Sequence, residues 1–261
     1  MTTSYKNLNG KIKDFIWTKD DSLTKDFCQH VIDKFDNDDR KKPGVIGKED
    51  QRVDKKVKDT VDLNISHVDG WKTEDVIFFT ALGKALEEYN DYLMDLNPGI
   101  CSWPNQKFLK SDTGYKVQMY EPTAQYTWHH DWSMSGGMHG GDMSPDFVAS
   151  RIFTFMWYLN TIPKKNDGYT EFADGTKVQP KCGRIIIFPA TWTYLHRGAP
   201  TKTGRKYLTN GWIHARPKCF QTLSPLKEDG EDDFFKVKPK AGRLVIHPAG
   251  WPFIHKGEML L

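Results

Sequence analysis

Hydrophobic positions follow one period in the first hundred residues and another after them. Between Ser22 and Phe35 apolar side chains recur at Leu23, Phe27, Val31 and Phe35. Steps of four put them on one face of a helix, with Asp21 or Ser22 placed to cap it. A second helix is predicted from about Glu74 to Leu96, with Leu82, Leu86, Tyr89 and Leu93 on its apolar side and Asn97-Pro98-Gly99 as its stop. The charged stretch 37–60 contains Pro43 and Gly44 and is expected to be a loop. Within it, Arg52 to Lys58 alternates basic residues with Asp54 and reads as a solvated loop or edge. From Tyr115 onward short apolar runs are separated by Gly and Pro: Tyr115–Tyr120, Arg151–Leu159, Gly168–Phe172, Gly183–Phe188 and Lys206–Ile213. Strands of this length with turn signals between them predict a β-sandwich or jelly roll, with RIFTFMWYLN as a central strand. The expected class is α+β, mainly β: a helix-bearing flank over 1–105, a β core over 106–216 and an extension over 217–261.

Residues 133–146, SMSGGMHGGDMSPD, are too polar and Gly-rich for a strand and read equally as a loop placed to cover a site or as an ordinary long connection between strands. One unit occurs twice. KVQPKCGRIIIFPATWTYLHRG at 177–198 returns as KVKPKAGRLVIHPAGWPFIHKG at 236–257, identical at 12 of 22 positions.

Composition narrows the function classes. With 37 basic and 34 acidic residues the net charge is +3, without the basic stripe of a nucleic-acid binder. No run approaches the roughly 18 apolar residues of a membrane span, and MTTSYKNLNGKIKDF has no apolar leader segment. Cys28, Cys101, Cys182 and Cys219 form no CxxC pair, so reduced thiols and a cytoplasmic protein are expected (in the host cytoplasm for a virus-encoded chain).

The chemistry concentrates at Tyr126-Thr127-Trp128-His129-His130-Asp131-Trp132. In an extended segment residues i and i+2 share a side, so His129 and Asp131 face one point and His130 faces away. An imidazole and a carboxylate make two-thirds of a facial triad, which needs one more histidine and leaves metal positions open for a keto acid and dioxygen. His-x-Asp alone is a weak signal. The candidate third ligand is His196, after the buried strand GRIIIFPA and a short turn. Ten residues later, Lys206 heads an alternating strand that puts Lys206, Leu208, Asn210 and Trp212 on one side. A cation there could pair with the distal carboxylate of a dianionic co-substrate.

These intervals make the resemblance specific. Residues 115–216 resemble the catalytic core of the prolyl-4-hydroxylase family of 2-oxoglutarate oxygenases. Tyr120, Tyr126, His129 and Asp131 stand at that family's spacings, as do Arg151 through Asn160, then Gly168, Thr170 and Phe172. After His196 come Pro200, Gly204, Lys206 and Trp212 at the matching positions. The resemblance implies a double-stranded β-helix, or jelly roll, in which His129, Asp131 and His196 hold Fe(II) and Lys206 binds the C5 carboxylate of 2-oxoglutarate. Tyr120 and Tyr158 would line the co-substrate pocket with a contribution from Thr170, and Arg205 is the second choice for the carboxylate partner. Dioxygen is the other co-substrate, and ascorbate a possible reductant. The activity implied is hydroxylation of an unactivated C–H bond, of a prolyl residue in a peptide or protein or of a free amino acid. An alternative is a nucleic-acid demethylase, but the Arg-x-Asn-x-Thr-x-Arg pattern of such enzymes is replaced here by RKYLTNGW. Another is a non-catalytic jelly-roll binding module. The repeat offers His255 as a competitor to His196. The separation of 65 residues from Asp131 to His196, against 124 to His255, favours His196.

Overall fold

The computed structural model describes residues 12–47, 51–96, 112–132, 135–136, 147–148 and 151–214. Along the chain, β1 (Trp17–Lys19) precedes α1 (Lys25–Asp36), β2 (Lys42–Pro43), β3 (Val61–Asn64) and α2 (Lys72–Leu96). The β core follows with β4 (Lys116–Tyr120), β5 (Tyr126–His129), β6 (Ser135–Gly136), β7 (Phe147–Val148) and β8 (Arg151–Tyr158). Next come β9 (Thr170–Phe172), β10 (Lys177–Val178), β11 (Ile185–Pro189), β12 (His196–Gly198) and β13 (Lys206–His214). The major sheet has the order β1-β11-β8-β13-β4-β3-β2 and the minor sheet β10-β9-β12-β5, while β6 pairs with β7. Every pairing is antiparallel.

The central strands of the major sheet, β8 and β11, are buried on both faces, which is why they read as near-continuous apolar runs. On β8, Phe153, Phe155 and Trp157 point to one core and Met156 and Tyr158 to another. On β11, Ile185 and Ile187 part from Ile186 and Phe188 in the same way. The first core packs under Val31 and Phe35 of α1 and Phe78, Leu82, Leu86, Tyr89 and Leu93 of α2. The second, with Phe172 and Tyr194, fills the space between the sheets. The helices thus cover one face and leave the other for the cavity.

Both helices form where the periodicity puts them, and β4, β8, β11 and β13 lie within a residue or two of their expected spans. The cap of α1 is Thr24, whose hydroxyl accepts from the Phe27 amide at 3.2 Å. Ser22 is not the cap, because its hydroxyl accepts from Trp157 Nε1 at 3.0 Å, and Asp21 sits at positive φ. The stretch 37–60 is not all loop: β2 lies in it and, with β3, extends the sheet beyond β4. At two to four residues such strands are too short to show a period. Arg52, Lys55 and Lys56 are exposed as expected of a solvated loop, but Lys58 is not, being 3% exposed and ion-paired to Asp62 at 2.6 Å. The stop at 97–99, most of the glycine-rich loop and the whole second copy of the repeat lie outside the described residues, as do Cys101 and Cys219.

Gly211 marks the closest backbone approach in β13. A Cβ there would lie 2.4 Å from Phe155 Cζ and 2.5 Å from the Gly114 carbonyl oxygen. Gly211→Ala should therefore destabilise the fold by about 1–3 kcal/mol through overpacking. A thermal melt should show the midpoint falling by several degrees.

Candidate metal centre and cofactor cavity

Antiparallel pairing of β12 with β5 sets His196 directly opposite His129, with ring centroids 4.2 Å apart. Asp131 follows β5 on the same side as His129 and is buried, while His130 between them is exposed. One ligand atom from each of His129, Asp131 and His196 falls within 4.8 Å of the others. Both rings are oriented from behind: His129 Nδ1 lies 2.7 Å from the Thr127 carbonyl oxygen and His196 Nδ1 2.9 Å from that of Tyr194. With Nδ1–H donating to a carbonyl, each Nε2 is left as a bare lone pair turned to the carboxylate, at 3.9 Å for His129 and 3.6 Å for His196. Burial, followed by the neighbouring His196, pushes the His129 imidazole down to about 3, so it is neutral at physiological pH. Two imidazole nitrogens and a carboxylate oxygen converging on one point are a ready donor set for a cation. The donor set of two imidazoles and one carboxylate suits a divalent transition metal with open positions.

The carboxylate is held as well. Asp131 Oδ2 accepts from the buried Thr154 hydroxyl at 2.7 Å, and Arg151 Nη1 donates to the Asp131 carbonyl oxygen at 3.2 Å. Tyr126 stacks on His129 with centroids 3.6 Å apart. Thr154 is legible in hindsight as the polar residue inside RIFTFMWY, on the same face as Met156 and Tyr158.

The three residues open into a cavity of about 430 Å³ between the sheets, within the range usual for small-molecule sites. Lys206, Tyr120 and Thr170 line one part of it. Lys206 Nζ donates to the carbonyl oxygens of Gly168 (3.2 Å) and Ala199 (3.0 Å) and lies 4.3 Å from the Tyr120 ring centroid. Burial, with no carboxylate partner among the described residues, pulls its ammonium down to about 7. Arg205 faces outward, paired with Glu121 at 2.8 Å. Tyr158 does not line the cavity. It is fully buried one layer behind, where its hydroxyl donates to Thr170 Oγ1 at 2.7 Å and orients it. His214 is the last residue of β13. His247 and His255 lie outside the described residues.

Sequence reasoning also missed Lys58, Lys116 and Gln118, which line the cavity as well. The signal was present in KVQMY, where Lys116, Gln118 and Tyr120 alternate with Val117 and Met119.

Two facing antiparallel sheets, with a His-x-Asp and a distal His carried by the smaller one, make a double-stranded β-helix with a cluster that could hold a metal ion. Residues 115–214 match the 2OG-Fe(II) oxygenase superfamily. A protein of Acanthamoeba polyphaga mimivirus named "Putative prolyl 4-hydroxylase" is 26% identical over 140 residues, which are 50% of this chain and 56% of the relative. The chain thus spans little more than half the length of that relative. A viral collagen prolyl hydroxylase from Paramecium bursaria Chlorella virus-1, solved with 2OG, superposes with a TM-score of 0.50 at 20% identity, over 79% of this chain and 98% of that one. A Trichoplax adhaerens prolyl hydroxylase in complex with a hypoxia-inducible-factor peptide gives 0.56 at 13% identity, over 82% and 88%. At these identities the superpositions establish the jelly-roll fold. Among the described residues no helix is long and apolar enough to cross a membrane.

Thr154→Val should leave the fold intact and weaken divalent-metal affinity by about 10–100-fold, because it removes the hydrogen bond that orients Asp131. Calorimetric titration of Mn(II) or Co(II) into the two proteins measures the difference.

Proposed function

We propose that the chain is an Fe(II)- and 2-oxoglutarate-dependent dioxygenase that hydroxylates an unactivated C–H bond, of a prolyl residue in a peptide or protein or of a free amino acid. The observation that carries this reading is one cavity holding both the converging acceptors of His129, Asp131 and His196 and the buried Lys206 ammonium. Iron, 2-oxoglutarate and dioxygen together supply the oxidising power for such a bond, with the keto acid decarboxylated to succinate. The protein contributes position and exclusion of water. His129 and His196 present Nε2 because the carbonyls of Thr127 and Tyr194 hold their Nδ1 protons. Asp131 is turned to the same point by Thr154. Lys206 receives the C5 carboxylate above the Tyr120 ring, beside the Thr170 hydroxyl that Tyr158 orients. Cys28 and Cys182 are free thiols, which suits work in the cytoplasm, with ascorbate as the reductant that keeps iron ferrous.

Succinate release from 2-oxoglutarate with Fe(II) and ascorbate tests the reading. His129→Ala, Asp131→Ala and His196→Ala should each abolish turnover, and His255→Ala should not. Loss of activity in His255→Ala with activity persisting in His196→Ala would reverse the ligand assignment.

The Lys206 ammonium adds a pH dependence. Its pKa in the free site is about 7, and the dianion binds the protonated form. Above that pH each unit reduces the competent fraction about tenfold, so the Kd for 2-oxoglutarate should rise roughly tenfold per unit between pH 8 and 9. Calorimetry in buffers of different ionisation enthalpy should show uptake of close to one proton there.

A further inference from the structure

Three neighbouring strands of the major sheet build a second polar group in the cavity, away from Lys206. Lys116 on β4 is the cross-strand partner of Asn210 on β13. Two residues on, Trp212 is the partner of Thr154, whose hydroxyl holds Asp131. Arg151, at the start of β8, lies over Trp212 with its guanidinium carbon 3.5 Å from the ring centroid, and Lys116 Nζ is 5.3 Å from the same centroid. All four line the cavity. At about 3.3 Å per residue, Asn210 stands roughly 13 Å along β13 from Lys206, so this group is distinct from the Lys206 site.

The group is short of partners. Arg151 Nε, Asn210 Oδ1 and Trp212 Nε1 are buried with no hydrogen bond among the described residues. Arg151 forms no ion pair among them. Lys116 has only a 3.8 Å approach to Asp62, whose carboxylate already accepts from Lys58, Thr60 and Gln118. Buried donors and charges left without partners are costly, and a matching ligand removes that cost. In the oxygenase reading, on which this inference rests, the metal dication, Asp131, the dianionic co-substrate and Lys206 cancel in charge. Lys58 cancels Asp62. Among the described residues, Lys116 and Arg151 remain as two positive charges beside the metal-ligand cluster. Two cations and an indole N–H call for an anionic acceptor, and the bare Asn210 oxygen calls for a donor next to it.

We propose that Lys116, Arg151, Trp212 and Asn210 form a substrate subsite for a free α-carboxylate and its neighbouring ammonium group. The molecule oxidised is then a free amino or imino acid rather than a residue within a peptide chain.

Calorimetry on the metal-loaded protein, saturated with 2-oxoglutarate and kept free of oxygen, tests this without turnover. The probes are the twenty common L-amino acids, their amides, N-acetylglycyl-L-proline and the doubly blocked peptide acetyl-Gly-Pro-Gly-amide. At least one free amino acid should bind about tenfold or more tightly than its amide and than either peptide. Lys116→Met should remove most of that preference and Lys116→Arg should keep it, both with unchanged affinity for 2-oxoglutarate. The subsite is overturned if no acid outbinds its amide, if either peptide binds more tightly than every free acid, or if the preference survives in Lys116→Met. Failure of the wild-type protein to bind 2-oxoglutarate would instead remove the oxygenase reading, and this inference with it.

Discussion

Antiparallel pairing of β5 with β12 is the contact from which the site is built. It brings two histidines, 67 positions apart in the chain, face to face. The two-residue period of an extended chain then delivers Asp131 to the same point. The backbone supplies the chemistry's starting condition as well, since the Thr127 and Tyr194 carbonyls choose the tautomer of each ring. Every group that touches the cluster afterwards, from Thr154 to Tyr126, refines a geometry that the strand register has already imposed.

The major sheet does a different job. Its outer face is sealed by α1 and α2 through a continuous aromatic core in which Phe78 stacks on Tyr115 and packs against Trp157. A rigid, fully packed outer face lets the inner face carry polar and charged groups at positions that would otherwise be apolar. Lys206, Gln118, Lys116, Asn210 and Thr154 all stand on that inner face. Burial there lowers the affinity of both lysines for protons, Lys206 to about 7 and Lys116 to about 8, the latter also through neighbouring Lys58. Groups held in that condition are poised for anions.

The N-terminal flank is part of this construction. β1 and β3 pair with core strands β11 and β4 at opposite sides of the sheet. Val45, Ile46 and Lys58 reach the cavity wall. Lys58 forms part of the Asp62-centred network that consumes one negative charge and leaves Lys116 with a 3.8 Å approach to it. A segment that looks like a charged connector in the sequence therefore helps to set the charge balance of the cavity.

Local periodicity alone determined both helices, four of the major strands, the shared side of His129 and Asp131, and the opposite facing of Lys206 and Arg205. Each follows from a repeat of 3.6 or 2 residues that a short stretch of chain already contains. Motif spacing added His196 and the jelly roll. Tertiary structure decided the rest, because it depends on which strands become neighbours. That adjacency displaced Ser22 from its cap by offering it to Trp157, moved Tyr158 behind Thr170, and buried Lys58 against Asp62. It also gathered Lys116, Arg151 and Trp212, which are distant in the chain, around one corner of the cavity. Hydrogen bonding and charge act through space, and no period along the chain records which side chains they will join.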